Sequence, residues 1–220
     1  NRGACTHPCR WKYAVVEETR PGEYMPVYEN ERGTYIFNSK DLCMIEHIPE
    51  LIEAGIDSFK IEGRMKTALY VATVARTYRK AIDDYLEDPE LYRKNMPWYL
   101  DQISNCTYRK FTTGFFFGKP DENTQIYDSN TYVKEYTYLG IAGEIRDGMC
   151  RIEQRNKFSV GETVEIMKPN GENPEAVVKR IVNEEGEEQE SAPHPKQVLF
   201  VELSSCPEKY DILRRCEPRS

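Results

Sequence analysis

The spacing of apolar positions changes along this chain. Between residues 67 and 86 they recur at three- and four-residue steps, through Leu69, Val71, Ala72, Val74, Ala75, Tyr78, Ala81, Ile82 and Tyr85, which predicts an amphipathic helix. Pro89 ends it and opens a shorter helix over 89–104. Upstream, Leu42, Ile45, Ile48, Leu51 and Ile52 predict a helix from about residue 41 to 54, capped by Asn38 or Ser39, broken or kinked at Pro49 and stopped at Gly55. In the stretch Ile56-Asp57-Ser58-Phe59-Lys60-Ile61-Glu62-Gly63-Arg64, Phe59 and Ile61 alternate with Lys60 and Glu62, the pattern of a short strand. Residues 12–18 have strand composition, and 24–28 with 34–37 predict a hairpin around 29–33. Helix, glycine, strand, loop, helix is the order of an α/β barrel or wound sheet. Beyond residue 130 the period drops to two. Six short strands are predicted, at 139–146, 149–154, 163–167, 176–182, 197–201 and 210–214. Their turns are Asp147-Gly148, Pro169-Asn170-Gly171 and the acidic loop 184–196, and this spacing predicts a small β-barrel. Residues 105–130 are irregular, and the domain boundary is placed near 125, giving 1–125 as an α/β part and 126–220 as an all-β part.

Composition narrows the function classes. No apolar run approaches the roughly 20 residues of a membrane span. The chain's net charge is −7, unevenly spread: residues 1–80 carry 12 Lys/Arg against 11 Asp/Glu, residues 119–220 carry 14 against 20. The first part could meet a polyanion, whereas the last suits a protein contact or a local patch better than broad RNA affinity. Seven scattered cysteines are not a secreted disulfide framework, which places the protein in a reducing compartment, the cytoplasm. The chain opens without Met, inside a cysteine-bearing stretch, and reads as the C-terminal piece of a longer protein.

Three constellations carry candidate chemistry. Cys5 and Cys9 lie three residues apart among Gly, Thr, His and Pro; by spacing they are half of a metal site or two ordinary thiols. On a strand Lys60 and Glu62 share a face, and Arg64 follows a glycine that permits a sharp turn. These three could clamp an anionic substrate or form a structural ion-pair network. Lys66 adds positive charge. Arg10 and Trp11 could stack on a base or shield a metal group, or Trp11 could be core. Phe115-Phe116-Phe117 reads as a packing plug between domains rather than a stacking surface. No His-Glu-x-x-His, Gly-x-Ser-x-Gly or phosphate-binding glycine loop is present, and no activated nucleophile can be assembled around the three histidines.

Together, the strings Asn1-Arg2-Gly3-Ala4-Cys5-Thr6, Cys9-Arg10-Trp11, Tyr35-Ile36 through Asn38-Ser39-Lys40-Asp41-Leu42-Cys43, Lys60-Ile61-Glu62-Gly63-Arg64, Thr112-Thr113-Gly114-Phe115 and Lys157-Phe158-Ser159-Val160-Gly161-Glu162 resemble the collagenase-like peptidase family U-32, and in particular its tRNA-hydroxylating branch. The resemblance covers nearly the whole chain. It implies that residues 1–125 are the last part of a TIM-barrel-like domain, followed by a C-terminal β-barrel. It further implies a prephenate-dependent 5-hydroxylation of the tRNA wobble uridine, with prephenate as co-substrate and tRNA as partner. The cofactor it implies is a 4Fe-4S iron–sulfur cluster held by Cys5, Cys9 and two cysteines outside this chain. Some relatives take the fourth ligand from further along, which makes Cys43 a candidate, although a buried thiol in the expected helix is the better reading of Cys43. It implies catalytic roles for Lys60, Glu62 and Arg64 and substrate-binding roles for Arg10, Trp11 and Lys66. Collagenase-like proteolysis, suggested by the family name, and a β-barrel that serves as a binding or assembly module for a protein partner are the alternatives.

Overall fold

The computed structural model describes residues 28–30, 33–35, 40–64, 66–105, 111–118 and 136–217. They fall into two compact units.

In the first unit, β1 (Tyr28–Asn30) and β2 (Gly33–Tyr35) form an antiparallel hairpin with Tyr28 opposite Tyr35 and Asn30 opposite Gly33, tighter than the pattern suggests. β3 (Asp41–Leu42) pairs in parallel with β4 (Phe111–Thr112). Asp41 and Leu42 therefore belong to a strand and not to the expected helix, because pairing with β4 satisfies their backbone groups.

The second unit starts with a 3-10 turn, Ile45–His47, and α1 (Ile48–Glu53). Pro49 sits in the first turn of α1, where its missing N–H costs nothing, so it starts the helix instead of breaking it. Gly55 ends it as expected. At φ +74°, its N–H donates to Ile52 O and that of Ile56 to Leu51 O, which satisfies two orphan carbonyls. α2 (Ala68–Glu87) follows, capped by the Thr67 hydroxyl, which accepts from Tyr70 N–H. Asp88 ends α2 and caps α3 (Pro89–Ser104) by accepting from Glu90 N–H. Rings of Tyr85, Tyr92 and Tyr99 pack in succession between the two helices at 5.8 and 5.7 Å.

The rest of this unit is a closed antiparallel barrel. Its strands are β5 (Tyr136–Arg146), β6 (Met149–Gln154), β7 (Thr163–Met167), β8 (Glu175–Asn183), β10 (Val198–Leu203) and β11 (Ile212–Cys216), with the short β9 (Glu188–Gln189) beside β8. The order β10-β6-β5-β11-β7-β8 closes through a second pairing of β8 with β10, which leaves no open edge in the ring. Inward positions alternate along β6, β8 and β10, and with residues of β5, β7, β11 and the loops they build one core from Leu139, Ile152, Phe158, Ile166, Ile181, Leu199 and Leu213 with their neighbours. Asp147 and Gly148, both at positive φ, form the tight β5–β6 turn. A Cβ on Gly140 would stand 2.5 Å from the Ile152 side chain and 2.9 Å from Glu153 O, so only glycine lets these strands approach. α2 docks on the barrel through Leu69, against Tyr138, Met167 and Ile212.

Candidate functional site

The segment after α1 is irregular rather than the expected strand, since no described residue pairs with it. It still gathers the expected group. Lys60 Nζ lies 3.7 Å from Glu62 Oε2, with the two side chains 83% and 63% exposed. Glu62 Oε1 accepts the Arg64 backbone N–H at 3.1 Å. That hydrogen bond, helped by the Arg64 and Lys60 charges, holds the Glu62 carboxyl below its ordinary range. A short turn closed by Lys66 N–H on Gly63 O then leads into α2. A Cβ on Gly63 would come within 2.9 Å of Val71 Cγ2, so any larger residue there has to push that side chain aside. Lys66 Nζ sits 5.1 Å from the centre of the Tyr70 ring. Lys60, Glu62 and Arg64 thus share one open loop, where exposed ion pairs add little stability but the cations can reach a solute.

Cys5, Cys9, Arg10 and Trp11 lie outside the described residues. Cys43 follows β3 rather than lying in a helix; it is half-buried, and its N–H donates to Thr112 O at 3.0 Å. Among the described residues no group of three or more His, Cys, Asp or Glu could hold a metal ion. Nor is any helix among them long and apolar enough to cross a membrane. Phe115 is 80% exposed, and Phe116 and Phe117 are also open; the three sit on a turn between Gly114 and Gly118, both at positive φ. His47 Nδ1 contacts Glu50 Oε1 at 3.2 Å on the exposed first turn of α1.

Two buried polar clusters escaped the sequence reading. Arg76, 8% exposed on α2, donates from Nη1 to Lys168 O and Asn173 Oδ1, both at 2.8 Å, and from Nη2 to Gln102 Oε1. Its buried Nε has no hydrogen-bond partner among the described residues. Burial, then the nearby Arg214 charge, pushes the guanidinium down to about 10. Arg214, fully buried on β11, pairs with Glu165 and lies over the Tyr136 ring at 4.1 Å. Periodicity could have flagged Arg76 only through its companions Thr73, Thr77 and Asp84 on the same buried face.

A closed six-stranded antiparallel barrel with a few helices before it is the class of fold that the described residues define. The sequence profile of peptidase family U32 matches residues 1–126, and that of the family's C-terminal domain matches residues 134–214. The chain belongs to peptidase family U32. It is 38% identical over 205 residues to tRNA hydroxylation protein P1 of Bacillus subtilis, covering 92% of this chain and 48% of that protein. It is 33% identical over 239 residues to tRNA hydroxylation protein P of Escherichia coli, covering 88% and 51%. Among solved structures, the C-terminal domain of a Geobacillus thermoleovorans protein assigned to the U32 peptidases matches 36% of this chain and 99% of its own, with 28% identity and a TM-score of 0.34. The chain spans about half the length of the curated relatives it matches.

Proposed function

We propose that this chain is part of a cytoplasmic RNA-modifying enzyme, a prephenate-dependent hydroxylase of the tRNA wobble uridine that carries an iron–sulfur cluster. The observation that carries the reading is the Lys60–Glu62–Arg64 loop, in a chain 38% identical to a tRNA hydroxylation protein. Prephenate is a dicarboxylate, and the Lys60 ammonium with the Arg64 guanidinium would bind its carboxylates. Glu62 contacts the Lys60 ammonium and accepts the Arg64 backbone N–H, which shapes the loop that carries both cations. Lys66, at the foot of α2, adds charge for the RNA backbone. Residues 1–125 would form the last part of a TIM-barrel-like domain, the architecture in which strand ends carry chemistry. Cys5 and Cys9, two soft anionic donors, fit half of a cluster's ligand set, with Cys43 in reserve. Such a cluster, when bound, supplies one-electron chemistry. Arg10 and Trp11 would line the same site.

Iron and sulfide analysis of the full-length protein, purified without oxygen, tests the cofactor. About four of each per chain is the expected content. A colourless, iron-free protein with Cys5 and Cys9 intact contradicts it. The family's description as peptidases favours one second reading, proteolysis of collagen type. Gelatin cleavage that survives Cys5→Ala and Cys9→Ala would establish a separate hydrolytic site.

A further inference from the structure

Tyr210 stands out on the barrel. Its φ is +77°, in the left-handed region that disfavours a side chain, and the residue is 71% exposed. The corner is held because Tyr210 N–H donates to Ala142 O at 2.8 Å. A strained residue kept in place by its surroundings, with its side chain given to solvent, points to function.

The ring borders a groove of about 560 Å3 that runs over β5 and β6. Arg146, Arg151, Arg155 and Lys209 line it, in a part of the chain that is acidic as a whole. Arg146 pairs with Glu144 at 2.6 Å and Arg155 with Glu153 at 2.7 Å. Arg151 and Lys209 make no salt bridge among the described residues, although the Glu144 carboxylate in the same groove lies close enough to feel both charges; Lys209 Nζ lies 5.2 Å from the centre of the Tyr210 ring. Phe200, half-buried and directly opposite Arg151 on β10, adds a second aromatic. The ladder between β5 and β6 shifts register between Ala142 and Ile145, a bulge of the kind that re-aims side chains beside binding sites. Gly143 keeps the floor low, since a Cβ there would stand 3.0 Å from Arg151 O.

We propose that this groove binds single-stranded RNA, with a base stacked on Tyr210 and phosphates on Arg151 and Lys209. An exposed aromatic ring at the border of a groove whose cations outnumber its carboxylates suits an unpaired base and its backbone, whichever the base. A paired duplex hides its base faces and gains only the phosphate contacts. RNA is preferred as occupant because of the tRNA reading above, on which the proposal rests.

The test uses full-length protein and a labelled oligouridylate of about 12 nucleotides, within the span such sites cover. Tyr210→Ala and the double variant Arg151→Gln/Lys209→Gln each weaken binding by roughly tenfold, and the double variant flattens the salt dependence by about one to two log–log units. Tyr210→Phe keeps the ring and stays within about threefold of wild type, as does the charge change Lys179→Glu elsewhere on the barrel. Wild type that does not bind, variants that bind like wild type, or an equal loss in Lys179→Glu overturns the proposal. Hydroxylation of tRNA is measured on the same proteins. Binding without hydroxylation in wild type removes the enzymatic reading and leaves the groove; hydroxylation with unchanged binding in the variants removes the groove and leaves the enzyme.

Discussion

Asp84 shows how one residue fixes the contact between α2 and α3. Burial alone would raise its carboxyl, but hydrogen bonds from Tyr99, Asn95 and Lys80 outweigh it and hold the group below its ordinary 3.8. Those donors lie 2.5, 2.7 and 3.0 Å from it. Asp84→Ala strands the buried Tyr99 hydroxyl and the Asn95 amide, and costs about 2–4 kcal/mol by chemical denaturation. A depressed carboxyl stabilises fully above its unfolded value and loses that contribution as pH falls through the folded one. The melting gap between wild type and Asp84→Asn therefore closes below about pH 4. Lys60 and Arg64 behave in the opposite way. Both are exposed, so Lys60→Ala and Arg64→Ala change stability by about 0.5 kcal/mol or less. If they bind the anionic co-substrate, each lowers hydroxylation by roughly 10- to 100-fold, mostly through the apparent affinity for prephenate. These charged residues were legible in the sequence as a group because they sit within five positions. Asp84 and Arg76 were not, because periodicity takes a polar residue for an outward one.

Among the elements, the barrel strands were the most legible. In β6, β8 and β10 one face lies on the core and the period of two is plain, and Asp147-Gly148 marks a turn by itself. Helix α2 was found for the same reason, and Thr67 and Gly55 gave its start and the end of α1. The 41–54 and 56–62 regions misled. Leu42 fits a helical stripe, yet β4, some 70 residues on, takes it as a strand partner, and no local pattern reports that. The 56–62 segment alternates like a strand, but a strand exists only where something pairs with it. Gly140→Ala tests the barrel's tightest contact. With Glu153 backbone in the way, the methyl cannot be relieved by a rotamer change, and the variant loses about 1–3 kcal/mol with strand order unchanged by amide exchange.

At the scale of the whole molecule, charge and chemistry are divided. The barrel's part of the chain is acidic yet concentrates cations in one groove, and the loop cations lie at the foot of α2, on the segment where the U32 profile matches. Family membership was legible because its strings are long and unusual; the cysteine-bearing stretch lies outside the described residues, so its role rests on donor chemistry. The most direct measurement is mass spectrometry of wobble-position 5-hydroxyuridine in tRNA from cells lacking this protein, after the full-length gene is restored. Wild type returns the modification, Cys5→Ala returns none, and Arg64→Ala returns roughly a tenth or less. Full modification in Cys5→Ala or Arg64→Ala, or none with wild type, contradicts the account.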